Sequence, residues 1–219
     1  MTYDGGHFSN RYILGLCEGN WCSEGSRGKE AGNGRVVVMA RADGEGGEEK
    51  CVWKTVRVLH LPKDVDFIDY SAMTLQHSTK QVAISSQVGS QLWVGELTGA
   101  ADGEFDPTTA QFQGGRIYDF PRGGGDCEAQ YCNIEGVHWL EGSKGSSASA
   151  TPRMLVAVSD KMKSGGRQVA CALSTHNRAA PSHGSNLSLG SLTPRHRALF
   201  AQAFTCQEKD QSVHLFTLP

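Results

Sequence analysis

The stretch Tyr131-Cys132-Asn133-Ile134-Glu135-Gly136-Val137-His138-Trp139-Leu140 decides how this chain is read. It sets two polar residues, Asn133 and Glu135, just ahead of a strand-like apolar run. A second run, Met154 to Val158, follows and ends on Ser159-Asp160-Lys161. The same pairing recurs upstream. Ile13 to Asn20, Val82 to Gly89 and Leu155 to Met162 each pass from apolar residues to a polar end, at Glu18, Gln87 and Asp160, about 70 residues apart. Asp69-Tyr70-Ser71-Ala72-Met73 precedes the second copy as Asn133-Ile134-Glu135-Gly136-Val137 precedes the third. The units also close alike, on Leu61-Pro62, Phe120-Pro121 and Leu218-Pro219.

The chain has 219 residues, enough for a sizeable core, and its 27 Gly gather in turns between short apolar runs. That pattern favours many strands with tight connections over a helix bundle. Arg35 to Ala40 and Gln91 to Leu97 are further strand runs, and Val52 to Leu61 alternates so that one face is wet. Asp66 to Met73 and Gly115 to Pro121 complete the strand set. Ser164 to Gln207 departs from it: Ser182 to Leu192 has no period, and Thr193-Pro194 caps a short helix through Arg195 to Phe204.

The expected fold is therefore all-β, a partial β-propeller of about three blades of four-stranded antiparallel sheet. Residues 1–11 are expected to be unstructured, and 12–219 to form one domain with units at 12–62, 66–121 and 131–219 and an irregular insertion at 164–207. The first unit lacks its opening strand and the last is one strand short. Three units do not close a propeller, which typically has about 4–8 blades. The expectation is that the chain is a fragment, the alternatives being that it pairs with another copy or that its strands close as a sandwich; open sheet edges would also invite self-association.

Several function classes have no support. The net charge is −2 with no basic stripe, so nucleic-acid binding has no electrostatic footprint. No apolar run approaches the roughly 20 residues of a membrane span, and no signal peptide is visible at an N-terminus that is read as incomplete. Cys17/Cys22 and Cys127/Cys132 share a C-x4-C spacing, but no matching His pair suggests zinc; buried or free thiols are the expected state of the seven Cys, with local disulfides at strand ends the alternative in an oxidising compartment. Asn186-Leu187-Ser188 is a glycosylation sequon, relevant only to a secreted chain.

Several of these motifs together resemble a group of uncharacterised β-propeller-like proteins. They are Leu14 to Asn20, Asp69-Tyr70-Ser71, Ser86-Gln87, Tyr118 to Arg122, Asn133 to Val137, Val158 to Lys161 and Asp210 to His214. That group is similar in strand pattern to phytase-like and SdiA-regulated propellers, where an Asn/Asp-x-Glu-Gly strand precedes one ending in Ser-Asp/Glu. The resemblance covers most of 12–219 outside the insertion, and implies a fold more than an activity.

In a propeller the first strand of each blade lines the channel, so Asn133, Glu135, Asp160, Asp69, Glu18 and Asp66 are expected near one rim. Glu135 and Asp160 are the expected metal ligands, with Ca²⁺ the ion best suited to such oxygens. The functional expectation is a binding module whose acidic rim holds a divalent cation or small ligand. The alternatives are a metal-assisted, phytase-like phosphoesterase and a protein-interaction scaffold without catalysis. A purely structural role, carboxylates bonded to turn N–H groups, competes with all of these. Ser71, Ser85 and Ser159 lack a nucleophile elbow, His214 is read as facing solvent between Val213 and Leu215, and Trp93 and Trp139 are read as core.

Overall fold

The structure is a computed structural model that describes residues 12–18, 31–42, 52–101, 104–122, 130–131, 133–140, 153–160 and 212–218. The segment 1–11, the insertion 164–207 with its expected helix, and the sequon lie outside the described residues.

Among the described residues the fold is all-β and antiparallel. Sheet 1 orders β1 (Tyr12–Leu16), β2 (Arg35–Ala42) and β3 (Val52–His60). Sheet 2 orders β4 (Ala72–Gln76), β5 (Gln81–Ser86), β6 (Gln91–Thr98) and β9 (Gln111–Asp119). Sheet 3 orders β10 (Ile134–Leu140), β11 (Arg153–Ser159) and β12 (Ser212–Leu218). A two-stranded ribbon, β7 (Ala100–Ala101) with β8 (Glu104–Phe105), stands off the β6–β9 connection. Among the described residues no sheet closes on itself.

The sheets stack in chain order, and strand alternation decides which side chains meet. Val36, Val38 and Leu59 of sheet 1 pack against Val82, Ile84 and Trp93 of sheet 2. The opposite face of sheet 2, with Ala83, Leu92 and Val94, packs against Val137, Trp139, Leu155 and Ala157 of sheet 3. Sheet 2 is thus covered on both sides, which is why β5 and β6 read as near-continuous buried runs. Each large apolar side chain so buried contributes roughly 1.5–3 kcal/mol.

The hydrogen-bonded registers repeat from sheet to sheet. Arg35 pairs with His60 at the end of sheet 1, as Gln91 pairs with Asp119 in sheet 2. Just beyond, Leu61 N–H donates to Gly34 O (2.9 Å) and Phe120 N–H donates to Ser90 O (3.0 Å). Met73 pairs with Ile84 as Val137 pairs with Ala157, and Leu75 with Val82 as Trp139 with Leu155.

Three local expectations are corrected. Asp66 to Ser71 is irregular backbone whose Phe67 and Tyr70, with Val65 just before them, plug the core; β4 begins only at Ala72 and runs on to Gln76. The Tyr70 hydroxyl donates to Val65 O (2.8 Å), and burial pushes its phenol up. Strand β9 starts at Gln111 rather than Gly115, because Gly114 (φ 57°) and Gly115 (φ 107°) carry the chain through a register shift opposite Gly95. Trp93 lies over that shift: a Cβ on Gly115 would stand 2.4 Å from its Nε1. Cys17, expected as a thiol, is buried but disulfide-bonded.

Candidate functional site

The expected site residues lie at one end of the strands. Glu18 follows β1 and is exposed; Cys17 beside it donates its N–H to Arg35 O (2.9 Å). Arg35, fully buried at the head of β2, is a charged residue at this end that the strand pattern gave no reason to single out.

Asp69 is half-buried and its acceptor capacity goes into the β5–β6 turn. Oδ1 accepts from Ser86 Oγ (2.5 Å) and Val88 N–H (3.1 Å), and Oδ2 from the N–H groups of Gln87 (3.2 Å) and Val88 (3.2 Å). Ser86 Oγ in turn accepts from Gly89 N–H (3.0 Å). Desolvation by burial holds the Asp69 carboxyl above its usual range, and the bonds from Ser86, Val88 and Gln87 oppose that shift. This is a carboxylate that organises a turn.

Asn133, Glu135 and Asp160 come together in sheet 3. Ile134 pairs with Ser159 and Gly136 with Val158, so Glu135 is the extra residue of a β-bulge. Asn133 adopts φ 52°, and its Nδ2 donates to Glu135 Oε1 (2.7 Å). Asp160 N–H donates to Asn133 O (3.0 Å), fixing the residue after β11 beside the residue before β10. The Glu135 side chain is exposed, whereas Asn133 and Asp160 are half-buried. Gly136 follows because a Cβ there would stand 2.9 Å from Val158 Cγ2.

Sheets 2 and 3 are joined at this end. Ser71 Oγ lies 2.9 Å from Ile134 O and 3.0 Å from Ser85 Oγ, while Ser71 N–H donates to Ser85 O (2.9 Å). The bulged strand therefore starts from a fixed neighbour. Asp66 is half-buried in the irregular segment ahead of Asp69. Among the described residues, no group of three or more His, Cys, Asp or Glu side chains is placed to hold a metal ion. A cation at Glu135 and Asp160 would complete its shell with amide or backbone oxygens and water.

His214 departs from its expected position. It is half-buried, its ring centroid 4.0 Å from that of Tyr131, with Nε2 3.2 Å from Ser159 Oγ; Val213 and Leu215 are the exposed residues of β12. The strand alternates as expected, but His214 rather than Val213 and Leu215 takes the inner side. Ser159 is buried on the ladder. Trp93 and Trp139 are core, whereas His138 is exposed.

No protein-family model, curated protein or solved structure matches this chain.

Proposed function

We propose that the chain is a propeller-type binding module whose ligand end carries Asn133, Glu135 and Asp160, and that the ligand is a divalent cation or a small cationic group. The observation that carries this reading is the Glu135 bulge. An exposed carboxylate is lifted out of the ladder, oriented by the Asn133 amide, and held next to Asp160 through the backbone. Bulges of this kind re-aim a side chain, here one with free acceptor lone pairs. The donor set is oxygen-rich, which suits Ca²⁺ better than a softer metal. Stacked antiparallel sheets with repeated registers support the propeller-type architecture.

Asp69 sits apart from this ligand set because its oxygens already accept from the turn. Thermal melts with Ca²⁺ and with chelator test the reading. A rise in Tm with millimolar Ca²⁺, reversed by chelator, is expected. An unchanged Tm at saturating metal would contradict it.

A further inference from the structure

The two ends of the sheet stack present apolar faces to solvent. On sheet 3, Val213 is 72% exposed, Leu215 57% and Val158 44%. On sheet 1, Val56 is 52% exposed, Val58 of the same strand lies open as well, and Ile13 lies open on the far side of β2. An antiparallel sheet with one wet face normally alternates apolar-in and polar-out. Here the outward rows are apolar as well: Val158 pairs with Val213 and Val156 with Leu215 on sheet 3, and Val37 pairs with Val58 on sheet 1. Patches of this kind mark interaction surfaces.

The repeat says what each face would take. At both junctions inside the chain, the later-facing side of one sheet packs on the earlier-facing side of the next. The open face of sheet 3 is of the first kind and that of sheet 1 is of the second. A second copy of this chain carries both complements at once. We propose that two copies close head to tail, sheet 3 of each packing on sheet 1 of the other, to form a ring of six sheets. Six falls within the roughly 4–8 blades at which such rings close, and a two-fold pairing in which each sheet 3 meets the other copy's sheet 1 closes with no further subunits. The proposal rests on the propeller-type reading above, extending it from the ligand end to the assembly.

The test is the molar mass of the full chain by light scattering after size exclusion. A mass of twice 23.6 kDa is expected, falling to that of one chain in Val58→Asp and in Val213→Asp, with the near-ultraviolet signal of Trp93 and Trp139 retained. Mixing the two variants should restore the two-chain mass, because that pair keeps one undamaged junction; like-on-like stacking would damage both. A one-chain mass for the unaltered protein, no recovery on mixing, or a mass that climbs with concentration would each overturn the ring. The unaltered chain decides the first point whether or not the variants fold. A one-chain mass with a Ca²⁺-dependent melt intact would sink the ring and leave the binding reading standing.

Discussion

The hydroxyl of Ser71, at the entry to β4, lies 2.9 Å from the carbonyl of Ile134, at the entry to β10. These two strands belong to different sheets, so this is a polar tie beside the apolar core that the described residues place between the sheets. It fixes where β10 begins, one residue before the Glu135 bulge.

Ser71→Ala removes the donor and leaves a part-buried carbonyl without it. A loss of about 1–3 kcal/mol is expected in urea unfolding. A change within error would show that the junction is set by packing alone.

Asp69→Asn should cost about 1–3 kcal/mol, because the amide replaces one of the two oxygens facing the turn donors with an NH₂ group that cannot accept, whether the carboxyl is charged or neutral. Its pH dependence has a definite sign. The folded carboxyl is held above the usual carboxylate range, chiefly by desolvation. Its stabilisation is then full below the unfolded value and is lost as pH rises through the raised folded value. The deficit of Asp69→Asn against the unaltered protein should shrink as pH rises through that window. A deficit that grows instead would mean that the turn bonds outweigh burial.

Gly115→Ala places a Cβ against the Trp93 indole at a backbone angle of φ 107°. A loss on the order of 3 kcal/mol is expected from strain and overpacking together. Unfolding followed by Trp fluorescence would report it, and an unaffected midpoint would mean that β9 does not pass through this shift.

Much of the strand set was legible because runs that are apolar on both faces leave a strong mark. Arg35 to Ala40, Gln81 to Ser86 and Met154 to Val158 are apolar runs bounded by turn residues, and each is a strand. Less visible were features set by tertiary contact. Phe67 and Tyr70 look like strand residues, yet they fill a core from irregular backbone. Gly114-Gly115 looks like a break, yet strand β9 crosses it because Trp93 needs the space. His214 has the alternation of a wet residue, but Tyr131 and Ser159, remote in sequence, give it partners on the inner side. At the candidate site, the residue types were visible in Asn133-Ile134-Glu135-Gly136. The bulge was not, because it follows from the pairing of Ile134 with Ser159 and Gly136 with Val158.

The most direct test of the proposed ligand end is a calorimetric titration of Ca²⁺ into the 219-residue chain and into Glu135→Gln. The substitution keeps the size and an acceptor oxygen at the bulge while removing the charge. Saturable binding to the unaltered chain, weakened at least tenfold in Glu135→Gln with the same melting behaviour in chelator, is the expected result. Equal binding by both proteins, or no binding by either, would contradict the assignment of Glu135 as the centre of the ligand end.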